Sequence, residues 1–132
     1  MSAPAKVWDA YLEEFERCVP FIQRAVDRVG GEFTIDHVRH EIMSNQAQLH
    51  SRESSAVVTR IETTPSGKTF VLCWLAGGIE PEILDLEKSI EQWGKSLGCT
   101  QIKIIGRAGF LRTLPGYSEQ ARILAKELTH EL

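Results

Sequence analysis

The stretch Gly98–Tyr117, GCTQIKIIGRAGFLRTLPGY, gathers the residue types best suited to holding an anion. Ile102 and Ile104 alternate with Lys103 as a short strand. Gly106-Arg107-Ala108-Gly109 then turns, one helical turn follows, and Pro115-Gly116-Tyr117 leads out. A guanidinium is a planar fork that meets a phosphate or carboxylate through two N–H groups. Arg107, with the amides of Ala108 and Gly109 beside it, is therefore a candidate anion site, and Arg112 a second cation for it. The structural alternative is that Arg107 pairs with a carboxylate of the preceding helix.

His37 and His40 lie one turn apart on a predicted helix, a spacing that suits two imidazole ligands. No third ligand stands at a supporting distance, and Asp36 and Glu41 flank them, so a solvated charged face is expected and no metal. The three cysteines, Cys18, Cys73 and Cys99, are widely spaced among apolar neighbours. They read as buried thiols of a reducing compartment, not as a disulfide framework or a zinc knuckle.

At 132 residues the chain is expected to form one domain, 1–132. Its 42% hydrophobic and 25% charged residues exclude disorder. A net charge of −3 with scattered cations argues against a nucleic-acid partner. The N-terminus lacks the apolar core of a signal peptide, and no apolar run approaches the roughly 20 residues that span a bilayer. A soluble, cytoplasmic protein is the expectation, with no membrane partner.

The elements that must position these residues follow from periodicity. Trp8, Leu12, Phe15, Val19, Ile22, Val26 and Val29 form one apolar stripe at helical spacing, which predicts a helical hairpin or kinked helix over 5–30, interrupted at Pro20 and stopped by Gly30-Gly31. Thr34 is a predicted N-cap for a second helix through Ile35, Val38 and Ile42. From Ala47 the period drops to two, giving two strands and a Thr64-Pro65-Ser66-Gly67 turn. Phe70 to Ala76 is apolar on both faces and predicts a central strand in an antiparallel meander. After Gly77-Gly78, Pro81 opens a helix whose apolar positions are Ile83, Leu86, Ile90, Trp93 and Leu97, spaced at three and four. Strand, helix and strand in this order imply a parallel pairing. Residues 118–128 favour a helix on propensity, but Ala121, Ile123 and Ala125 also alternate.

This order of elements resembles the GNAT (Gcn5-related N-acetyltransferase) fold. The pattern Gly98-Cys99-x-x-Ile102-x-x-x-Gly106-Arg107-x-Gly109-Phe110-x-Arg112-x-Leu114-x-Gly116-Tyr117 is similar to small GNAT-like proteins of bacteriophages and prophages. The resemblance implies an α/β (α+β) fold, a mixed, mostly antiparallel central sheet with helices on both faces, and a last strand in the tail.

For activity, the resemblance implies an acetyl-CoA loop after the central strand. Here that segment is Leu75-Ala76-Gly77-Gly78-Ile79-Glu80-Pro81-Glu82. Gly77 and Gly78 would let backbone approach a ligand. Against that, the Q/R-x-x-G-x-G/A spacing is absent, Pro81 removes a donor, and Glu80 and Glu82 place negative charge where a diphosphate would sit, as a helix start satisfied by its own side chains. The expected general-acid tyrosine is replaced by Arg112. Tyr117 belongs to the turn, with its hydroxyl expected at the surface, and Glu62 is the candidate base at a strand end. The expectation is a non-catalytic binding or assembly module with a protein partner, a phage structural or host protein, in the host cytoplasm or virion. The alternative is an acetyl-CoA-dependent N-acetyltransferase with a divergent loop.

Overall fold

The computed structural model describes residues 5–105, 114–121 and 123–129. The elements are α1 (Ala5–Arg28), α2 (Ile35–Met43), β1 (Gln48–Arg52), β2 (Ser55–Thr63), β3 (Thr69–Gly77), α3 (Glu80–Ser96) and β4 (Gln101–Ile104). The sheet order is β1-β2-β3-β4. The first two pairings are antiparallel and β3–β4 is parallel.

The apolar stripes decide the layers. Phe15, Cys18, Ile22 and Val26 of α1 bury against Val38 and Ile42 of α2 and against Ala56, Val58 and Leu75 on one face of the sheet. Leu86 and Ile90 of α3 bury against Val57, Val71 and Cys73 on the other. β3 is therefore covered on both faces, as its continuous apolar run predicts. Several of these side chains, Phe15, Ile22, Leu86 and Ile90 among them, are at most 1% exposed.

Pro20 does not start a second helix: of the two expectations, a hairpin or a kinked helix, the hairpin is excluded because one helix runs through the proline. The ring lies on the exposed side, where water can satisfy the carbonyl that loses its N–H partner. The other punctuation behaves as the residue types dictate. Thr34 Oγ1 accepts the His37 N–H at 3.1 Å, Gly30 and Gly31 take positive φ after α1, and Gly98 does so after α3. The β2–β3 turn closes with Gly67 N–H donating to Thr64 O at 2.9 Å.

The tail differs from expectation. Among the described residues, 117–121 and 123–129 form neither strand nor helix. Ile123, Leu124 and Leu128 are 75%, 92% and 72% exposed. Alternation alone does not make a strand without a face to bury, and here the alternating residues bury none. The helical turn expected after β4, with Arg107 and Arg112, lies outside the described residues.

Candidate functional site

The site follows from how β3 and β4 part company. They pair from Phe70↔Gln101 to Cys73↔Ile104, after which β3 runs on to Gly77 without a β4 partner. At the same level β3 bulges: Val58 faces Leu75 and Thr59 faces Cys73, so Trp74 is an extra residue. A bulge shifts the alternation of side chains by one. Cys73 therefore joins the α3 core, whereas Trp74 and Leu75 both join the α1 and α2 core. The parting strands leave a cavity of about 270 Å³ walled by Val57, Leu75, Ile83, Ile90, Ile104 and Leu114. Because Ala25 and Arg28 of α1 and Val29 just after it line it as well as Ile83, Glu87 and Ile90 of α3, it reaches both sides of the sheet.

Arg28, Cys73 and Glu87 are among the residues that line this mostly apolar space. Burial first, then the neighbouring Glu87 carboxylate, pushes the Cys73 thiol up to about 12, so it stays protonated and acts as wall, not nucleophile. Tyr117 is half-buried, not turned to the surface, and its hydroxyl donates to Glu87 Oε1 at 3.0 Å. Burial, followed by the Glu87 charge, holds the phenol well above its usual range. A phenol so held is a poor proton donor to a leaving thiolate.

The strand-to-helix turn beside the cavity is closely packed. A Cβ on Gly77 would land on the carbonyl oxygen of Phe21, and one on Gly78 (φ 139°) on the Ser55 side chain. Ser55 is fully buried and its Oγ accepts the Ile79 N–H at 2.9 Å. Glu82 does not cap its own helix: its carboxylate accepts the Ser54 N–H at 2.9 Å, and the N-cap residue Ile79 makes no side-chain cap bond. With Pro81 lacking an N–H, the first turn of α3 keeps only the amides of Glu80 and Glu82 to offer a ligand.

Glu62 stands apart. It pairs with Phe70 at the end of β2, whereas Gly77 pairs with Ala56 at the other end of the ladder. At a rise of ~3.3 Å per residue the two positions are roughly 20 Å apart. Its carboxylate accepts from Arg60 Nε at 3.1 Å, and Arg60 also reaches Glu41 at 3.3 Å and lies over the Trp74 ring at 5.5 Å. His37 stacks on Phe33 and sits 3.8 Å from Glu41. Among the described residues no group of three or more metal-ligating side chains converges.

Sequence reasoning passed over Glu87 and Arg28. The signal for Glu87 was there: it lies four residues after Ile83 and three before Ile90, inside the apolar stripe of α3. The bulge at Trp74 has no signature in the sequence.

No protein-family model matches the sequence, and no curated protein sequence does. Solved structures do match. An aminoglycoside acetyltransferase, meta-AAC0020, from an uncultured soil metagenomic sample and in complex with sisomicin, aligns with a TM-score of 0.60 at 11% identity, over 89% of this chain and 90% of its own. TTHA1254 from Thermus thermophilus aligns with a TM-score of 0.52 at 14% identity, over 85% of this chain and 96% of its own. With a mixed four-stranded sheet and three helices among the described residues, the chain has a GNAT-like fold. No described helix is long and apolar enough to cross a membrane.

Proposed function

We propose that this GNAT-fold chain binds a partner and does not transfer acetyl groups. The observation that carries this reading is the turn from Gly77 to Glu82. The Ile79 amide is taken by Ser55, Pro81 has none, and Glu80 and Glu82 put two acidic residues in the first turn, Glu82 with its carboxylate on the Ser54 N–H. A diphosphate binds at a helix N-terminus through free amides and the positive end of the dipole, and this helix start offers few of the first and screens the second. The candidate acid and base weaken transfer further: Tyr117 is committed to Glu87, and Glu62 is committed to Arg60 at the far end of β2. An assembly role, with a phage structural or host protein as partner in the host cytoplasm or virion, is supported by the resemblance of Gly98–Tyr117 to small phage and prophage proteins.

Titration calorimetry with acetyl-CoA and with CoA tests this directly. No saturable heat is expected at millimolar ligand; micromolar binding overturns the reading. The second reading, an N-acyltransferase with a divergent loop on Gly77-Gly78, is favoured by one observation, the apolar cavity at the parting of β3 and β4. It requires acetyl-CoA to slow hydrogen exchange at residues 77–83.

A further inference from the structure

We propose that two copies of this chain pair by exchanging their tails, each laying Ile123 and Leu124 in the groove beside β4 of the other. The inference goes beyond the reading above and is compatible with either function. The groove, about 1130 Å³, is bounded by β4, the second half of α3 and the chain from Pro115 to Leu124. Cys99, Ile102 and Ile105 supply its apolar wall on the β4 side. The chain's own tail borders this space without seating its side chains there: Ile123 and Leu124 are 75% and 92% exposed, and Leu128 further on is 72% exposed. Ile105 on the facing wall is 66% exposed. Large aliphatic side chains left open on both walls of one groove mark an interaction surface, where single scattered ones would not.

Three features select a second copy as the occupant. The first is self-complementarity. Ala121, Ile123 and Ala125 alternate as a strand would, yet all three are exposed, and among the described residues β4 ends the sheet order with β3 as its one strand neighbour. One chain therefore carries both an unseated extended segment and a sheet edge, the condition for an isologous exchange that closes at two copies. The second is reach. Leu114 is buried and Tyr117 is pinned to Glu87 at 3.0 Å, so the tail is tied at its root. From Tyr117 to residue 129 the chain spans roughly 40 Å when extended, at ~3.3 Å per residue, against roughly 13 Å for the four residues of β4. A tail of that length can leave its own groove and lie in a neighbour's. The third is charge and size. Glu87 and Glu91 stand with Lys95 and Lys103 around the groove, and the tail carries Lys126 beside Glu127, so the wall neither draws a polyanion nor repels a second tail. Two tails in two grooves engage on the order of 20–30 residues of each copy, the size of a stable interface.

Sedimentation equilibrium of the intact chain, from micromolar to millimolar, is the test. A mass rising with concentration to twice that of one chain is expected. Ile123→Lys combined with Leu124→Lys, two exposed changes that leave the core untouched, should raise the dimer dissociation constant by about a hundredfold, tenfold for each groove. Val7→Lys, equally a charge placed on an exposed apolar residue but on α1, should leave it unchanged. A mixture of methyl-labelled and unlabelled copies should show intermolecular contacts between Leu124 and Ile102. A single-chain mass at every concentration, an unaltered dissociation constant in the tail variant, an equal loss in Val7→Lys, or a dimer without the Leu124–Ile102 contact overturns the proposal. Acetyl-CoA calorimetry reads a ligand and not a mass, so failure of one inference is not failure of the other.

Discussion

Along β1, side chains from both helical layers reach the strand and its turn. Tyr11 Oη accepts the Leu49 N–H at 2.9 Å, and Ser51 Oγ donates to Glu14 at 2.7 Å. Arg17 donates to the Arg52 and Glu53 carbonyls at 2.7 Å each, and Arg52 crosses to Asp85 at 2.7 Å and Ser89 at 2.9 Å. Along β4 the sheet ends differently. The strand is four residues long, Lys103 lies over the Phe70 ring at 4.2 Å, and the tail lines a groove of about 1130 Å³ instead of pairing. An edge whose backbone groups are taken by side chains is closed to other strands. Rigidity thus falls at the β1 end and room for a ligand or partner at the β4 end, a division that suits a scaffold which must hold one site open.

The largest expected effect tests where that rigidity begins. Gly77 closes β3 against the backbone of α1, so Gly77→Ala puts a methyl group on a carbonyl that cannot rotate away. We expect a loss of about 3 kcal/mol or more in urea unfolding, because relief requires lifting α1 from the sheet. Gly116→Ala, at φ 85° with open space around its Cβ, should cost only about 1–2 kcal/mol, the strain of the left-handed backbone. Equal costs at the two positions would remove the contrast between a seated and an open end of the sheet.

Gly77 also shows how far the sequence could be read. Periods of 3.6 and 2 located every described element, and the all-apolar run Phe70–Ala76 put β3 at the centre, because burial on one or both faces is a local property of the pattern. The Gly77-Gly78 pair suggested a ligand approaching the backbone, and a glycine allows that. The same absence of a Cβ also admits Phe21 and Ser55, which only three dimensions reveal. The hairpin alternative at Pro20 and the strand or helix of the tail failed for a related reason. Each depends on which side of the element meets water, not on the residue's own preference. The cavity was invisible because it rests on a one-residue register shift at Trp74.

The next effect in size is a pH dependence at the β1 end. His50 Nε2 lies 2.8 Å from Thr59 Oγ1 with its ring edge-on to Trp93 at 4.8 Å, and burial, then the Arg52 charge, lowers its pKa from 6.5 to about 4. A histidine whose folded pKa is depressed binds protons more readily unfolded, so its contribution is complete above about pH 6.5 and is lost as pH falls towards 4. Between pH 7 and pH 5 the chain should lose about 2 kcal/mol, and His50→Gln should flatten that slope. Glu14, held at about 2 by hydrogen bonds from Arg17 and Ser51, acts in a lower window, below about pH 4.5. Urea midpoints at pH 7, 5 and 3 separate the two. An unchanged slope in His50→Gln would mean the imidazole is as well hydrated as in the unfolded chain.

The smallest and most direct comparison deletes the same atom at both ends. Tyr11→Phe removes the acceptor of the Leu49 N–H on the β1 edge, where the bond is partly buried. A donor left unsatisfied costs its own desolvation, so a loss of about 1–2 kcal/mol is expected. Tyr117→Phe removes a donor from Glu87, but that carboxylate borders the open groove of about 1130 Å³ and can take water instead. A loss of about 0.5 kcal/mol is expected there. The ratio of the two losses, read from urea unfolding at pH 7, is the measurement. If Tyr117→Phe costs as much as Tyr11→Phe, Glu87 is not solvated and the cavity is closed at its α3 end.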